Sequence, residues 1–120
     1  MWDDLVVSIL SVNQYSVERT YPLLHSLREQ KVTDPAILAR ENAYAIEERL
    51  SAAGCYRGRF MTRLFAERLA ALGTLIRARG ITECEQIIAS HDAKAIEALL
   101  LPVKGIGPVV LRNFFMLRGI

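Results

Sequence analysis

The stretch Leu101-Pro102-Val103-Lys104-Gly105-Ile106-Gly107-Pro108-Val109-Val110-Leu111 carries the most information in the chain. Six residues, Pro102 to Gly107, separate an apolar segment ending at Leu101 from another opening at Pro108. That length allows a tight hairpin between helices and little else. Pro108 suits a first helical position because its φ is preset and it has no amide to leave unpaired. Gly105 and Gly107 can take backbone angles closed to other residues, and they leave the turn amides uncovered at the start of the next helix. Unpaired N–H groups and the helix dipole together favour an anion there, with Lys104 adding a positive charge. A glycine-rich helix–helix turn without a ligand shares the bare spacing. The order apolar-Lys-Gly-Ile-Gly-Pro between two amphipathic segments favours a phosphate.

Outward from the hairpin the pattern is helical, with apolar residues recurring at three and four and no alternating strand. Leu5, Ile9 and Val12 open it. A second helix is expected from Tyr15 or Ser16 to Gln30, with Val17, Leu24 and Leu27 inward and Pro22 kinking it or forming its first turn. Asp34 before Pro35 should start a short helix through Arg40, and Asn42 another carrying Ala45, Ile46 and Leu50 as far as Gly54. The longest segment is expected over Arg57 to Arg79, with Met61, Leu64, Phe65, Leu69, Leu72 and Ile76 on its apolar side. Thr82 and Glu85 have capping-box spacing, and Asp92 should cap a helix through Leu101. The expectation is an all-α chain with one domain over 1–120 and its hairpin at 92–118.

Composition agrees. A chain of 120 residues, 52% hydrophobic and 23% charged, is globular rather than disordered or collagenous. No apolar run reaches the roughly 18 residues of a membrane span, and Met1 to Leu10 lacks the basic flank of a signal peptide, so a cytoplasmic, nucleoid-associated or nuclear address is expected. Two cysteines, Cys55 and Cys84, and two distant histidines, His25 and His91, give no metal or cofactor set. Net charge is only +2, but six arginines (Arg57, Arg59, Arg63, Arg68, Arg77, Arg79) face one acid, Glu67, between Cys55 and Gly80. Beyond Glu97 there is no acid, while Lys104, Arg112 and Arg118 occur. Such clustering is either a solvated face or a footprint for nucleic acid.

Val103 to Pro108 followed by an apolar helix resembles the helix-hairpin-helix of the DNA glycosylase superfamily that includes endonuclease III, the adenine mismatch glycosylase and the alkylbase glycosylases. Leu5 to Arg19 is similar to that family's opening helix and glutamine-containing turn, and Ala52 to Arg57 to its Gly-x-Tyr turn before the long helix. The resemblance covers nearly the whole chain. It implies a six-helix bundle or barrel of the helix-hairpin-helix (HhH-GPD) type and a part in base-excision DNA repair, on lesion- or mismatch-containing duplex DNA. The family's mechanism is base flipping: the hairpin grips a phosphate, a wedge enters the minor groove and the target base rotates into a pocket.

Carried onto this chain, the resemblance assigns the phosphate grip to Lys104, Gly105, Ile106, Gly107 and Val109, and the wedge to Asn13, Gln14 and Tyr15 with Cys55 and Tyr56. Arg57 and Arg59 would add backbone contacts. Packing at helix ends is the competing role for Tyr15 and Tyr56, and Cys55 reads better as a buried small residue than as a reactive thiol.

Two departures bear on catalysis. The lysine nucleophile of the strand-cutting members has its counterpart at Val109, which cannot form a Schiff base. The family's catalytic aspartate, and its iron–sulfur cysteines where present, fall beyond Ile120. The expected chain is therefore the helical part of a monofunctional glycosylase, inactive on its own and either monomeric or complemented by a segment bearing the aspartate. The alternative is a non-catalytic helix-hairpin-helix module that binds DNA.

Overall fold

Where each helix begins and ends follows from a few local devices. The computed structural model describes residues 1–12 and 15–120, and those residues contain helices and no strand. In chain order they form α1 (Trp2–Leu10), α2 (Val17–Thr20), a 3-10 turn (Tyr21–Leu23), α3 (Leu24–Glu29), α4 (Pro35–Arg40), α5 (Ala43–Ala52), α6 (Arg59–Arg79), α7 (Ile81–Ala89), α8 (Ala93–Leu100) and α9 (Pro108–Arg118). Four starts are set by side-chain oxygens that accept otherwise unpaired first-turn amides, the first by Ser16 Oγ, which accepts from Arg19 at 3.3 Å. Asp34 Oδ1 accepts from Ala36 at 2.9 Å, Asn42 Oδ1 from Ala45 at 3.0 Å, and Asp92 Oδ1 from Lys94 at 3.1 Å and Ala95 at 3.3 Å. Gly54 ends the α5 region at φ +80°.

Elsewhere the structure departs from the sequence pattern. The segment expected as one helix to Gln30 is broken into α2, a 3-10 turn around Pro22, and α3, because proline has no amide to extend an α ladder. Val12 lies outside α1 and is only half-buried. The long helix starts at Arg59, not Arg57: Gly58 stands at φ +85°, and the Arg57 amide donates to the Thr62 hydroxyl at 2.8 Å. The Thr82–Glu85 capping box does not form. Thr82 is already inside α7, whose start is set by Gly80 at φ +88°, and the Glu85 carboxylate instead accepts from the Trp2 indole at 2.7 Å.

α6 is the axis of the molecule, packed against α1, α4, α5 and α7. Its buried face carries Thr62, Phe65, Ala66, Leu69, Leu72, Gly73 and Ile76, while Met61 and Leu64 are half-buried at its margin. α1 supplies Leu5, Val6, Ile9 and Leu10 to the same core, and α9 supplies Phe114. No helix is long and apolar enough to cross a membrane among the described residues.

The tightest helix contact lies at Gly73. A Cβ placed there would stand 2.6 Å from the Leu38 carbonyl carbon, closer still to its oxygen, and 3.2 Å from the Ala39 nitrogen. Glycine in a helix interior ordinarily costs about 1 kcal/mol relative to alanine. Here the methyl would strike the backbone of α4, which cannot rotate aside, so overpacking outweighs propensity. Gly73→Ala is expected to lose about 2 kcal/mol of unfolding free energy in urea titrations, where an ordinary helical glycine would gain stability.

Candidate nucleic-acid interface

Hairpin 92–118 is formed by α8, α9 and the turn between them. The turn closes on two short backbone bonds, Val103 N–H to the Leu100 carbonyl and Ile106 N–H to the Val103 carbonyl, both at 3.0 Å. Val103 and Ile106 are buried beneath it, and Lys104 is exposed above. Of the two glycines only Gly105 needs its freedom, at φ +93°. Gly107 is extended at φ −116°, a conformation open to any residue, and a Cβ there would meet nothing within 4 Å. The expectation that both would use glycine-only angles is corrected to Gly105 alone.

No side chain caps α9. Its first intrahelical bond, from Leu111 N–H to the Gly107 carbonyl at 3.1 Å, lies beyond Val109 and Val110, whose amides therefore face outward from the first turn. A shallow cavity of about 250 Å³ opens there, lined by Val12, Arg68, Gly105, Gly107, Val109 and Val110 along with Pro108. Arg68 is the residue that sequence reasoning did not single out. Its stem runs under the turn so closely that a Cβ on Gly105 would come within 2.5 Å of Cδ and 2.9 Å of Nε. Nothing in local sequence links α6 to a glycine so distant along the chain.

The other predicted site residues adjoin this hairpin in different ways. Asn13 and Gln14 lie outside the described residues. Their flanks are fixed: Val12 lines the hairpin cavity, and Asn113 of α9 donates its Nδ2 hydrogen to the Ser11 carbonyl at 3.3 Å. Tyr15 is half-buried, edge-on to Phe65 with centroids 6.1 Å apart. Cys55 is buried, and burial pushes its thiol pKa above the ordinary value. Tyr56 is 61% exposed and is the side chain of the second turn that reaches outward. Val109 is exposed at the hairpin.

Arg57 and Arg59 part company. Arg57 turns inward, donating Nη1 to the Leu10 carbonyl and Nη2 to the Thr20 hydroxyl at 3.0 Å, with its guanidinium 4.0 Å from the Tyr15 ring centroid and 5.1 Å from that of Phe65. Desolvation lowers its pKa from the usual arginine value. It ties the second turn to the end of α1 and to α2. Arg59 is exposed and has no ion pair among the described residues. Arg57 thus ties the second turn to the end of α1, while Asn113 and the cavity lined by Val12 bring Ser11 and Val12 against α9 and the hairpin.

Compared with known proteins, the chain matches no family model, no curated protein and no solved structure. Its chemistry has to be read from its own residues. Removing Arg57 would strand two partly buried acceptors and a cation–π stack, whereas removing Arg59 strands nothing. Arg57→Met is expected to lower unfolding free energy by about 2 kcal/mol, and Arg59→Met by less than about 0.5 kcal/mol. Equal effects in denaturant titrations would contradict the inward role.

Proposed function

We propose that this chain is the DNA-recognition part of a base-excision repair glycosylase, a helical domain of the helix-hairpin-helix type that grips duplex DNA and flips a damaged or mismatched base. The observation that carries the reading is the uncapped α9 start, with Lys104 exposed in the turn that leads to it and Val12 and Arg68 lining the cavity there. A phosphate oxygen at that start would accept from first-turn amides, favoured by the helix dipole and by charge assistance from lysine. Such contacts position a duplex without reading its sequence. Tyr56 supplies an exposed ring able to stack on a base. The wedge role of Asn13 and Gln14 is inferred from the family resemblance alone.

Gly107→Val makes a clean probe, because the backbone there accepts any residue and a Cβ has open space. A branched side chain should shield the neighbouring amides without unfolding the hairpin. Duplex affinity at fixed salt is expected to fall about tenfold for all sequences alike, the loss of one charge-assisted bond. Lys104→Ala should reduce the salt slope of binding by about one. Unchanged affinity in anisotropy titrations of a stably folded Gly107→Val protein would remove the phosphate role.

The reading also bounds what these 120 residues do by themselves: Val109 supplies no amine, and no acidic side chain follows Glu97 within them. Base departure needs negative charge near the sugar and a positioned water, and Schiff-base chemistry needs an amine. These residues alone are therefore expected to give no borohydride-trapped adduct with abasic-site DNA. They should also release no base from duplexes carrying uracil, alkylated purine, oxidised guanine or mismatched thymine. Multiple-turnover release abolished by Glu18→Gln would move catalysis inside this chain.

A further inference from the structure

Away from the hairpin lies a cleft of about 560 Å³ between the N-terminal parts of α5 and α6, lined by Tyr44, Arg59, Phe60, Arg63, Leu64 and Glu67. Five of these come from α6, with Phe60, Arg63, Leu64 and Glu67 at the i, i+3, i+4 and i+7 positions of one helix face. Phe60 is 77% exposed and Tyr44 66% exposed. Two large rings left in water around one concave site have no role in the core, which is filled by Phe65, Leu69 and Leu72 from the opposite side of α6.

The surrounding charges are already arranged. Arg63 lies over one side of the Tyr44 ring, 4.2 Å from its centroid, and is held there by an ion pair with Glu47. That pairing fixes the ring and consumes the Arg63 charge. Arg59 stays unpaired at the rim, and Glu67 is the one acid lining the cleft. Aromatic faces, one free guanidinium and one hydrogen-bond acceptor form a set suited to a planar heterocycle carrying N–H donors and joined to an anion. A nucleotide has all of those parts.

We propose that this cleft binds an unpaired nucleotide of single-stranded DNA, its base against Phe60 and Tyr44, its phosphate at Arg59, and base N–H groups within reach of Glu67. The choice of DNA as the polymer rests on the reading above; the aromatic site itself does not. A duplex keeps its bases stacked and would engage the hairpin edge instead, so the two sites separate by substrate. Binding of a single strand here needs no sequence preference, because every base presents a π face.

The test uses the whole chain and two dye-labelled probes, a mixed-sequence single-stranded oligodeoxynucleotide and the duplex of the same sequence, by anisotropy at about 50 mM salt. Phe60→Ala and Tyr44→Ala should each weaken single-strand binding at least about fivefold, the low end for loss of one base–aromatic stack, while Phe60→Trp retains it. Duplex affinity should change less than twofold in all three. Both rings are exposed, so unchanged melting temperatures are expected and confirm that folding is intact. Single-strand affinity indifferent to the Phe60→Ala, Tyr44→Ala double variant overturns the cleft assignment, as does wild-type protein that binds only duplex. Single-strand binding lost with these variants, but duplex binding unaffected by Gly107→Val, keeps the cleft and overturns the hairpin reading. Wild-type protein that binds neither probe overturns both.

Discussion

The close approach of α6 to α4 at Gly73 sets the distance from which the rest of the packing follows. Where a side chain would separate the helices, the backbone of Leu38 comes against the bare Cα. Arg77 reinforces the contact by donating Nη1 to the Ala39 carbonyl at 2.7 Å, one of the carbonyls that the short α4 leaves unpaired at its end. With α4 held there, Leu69, Leu72 and Ile76 meet Leu38 and Ile46 in one core, and the other margin of α6 remains free for the hairpin. Interiors packed at crystal-like density pass such a constraint to their neighbours.

The arginines illustrate how one residue type serves different ends. Six between Cys55 and Gly80 suggest a broad basic face. In the fold Arg57 is an internal brace, Arg63 pairs with Glu47, Arg77 closes a helix end and Arg79 pairs with Glu83 at 3.1 Å. Arg59 and Arg68 are left without an acid or carbonyl partner among the described residues, one at the aromatic cleft and one under the hairpin. Among these six arginines, the positive surface available to an anion is therefore narrower than the composition implies, and it is divided between two places on α6. Exposed ion pairs contribute little to stability, so the paired arginines mainly restrict where positive charge can act.

The uncapped start of α9 is a backbone feature and offers hydrogen bonds without a reactive group. The two cysteines are free but buried, and burial raises the pKa of each, which disfavours the nucleophilic thiolate.

The all-helical character was legible from spacing alone, as were the caps at Asp34, Asn42 and Asp92 and the hairpin opening at Pro108, because each depends on neighbours within one turn of the chain. Local signals failed where a partner lay far away in sequence. Thr82 and Glu85 have capping spacing, but the Trp2 indole takes the Glu85 carboxylate, and Gly58 and Gly80 set helix starts that apolar periodicity cannot see. Arg57 read as one more surface cation until the Leu10 carbonyl, Thr20 and Tyr15 enclosed it. The glycine–proline turn was visible in the sequence, whereas Arg68 beneath it and the Tyr44–Phe60 cleft emerged only when the helices packed. The sequence thus determined which segments would be helical and where the glycine–proline turn lies; tertiary structure decided which charges stay free, since charge pairing and burial depend on contacts that close only in three dimensions.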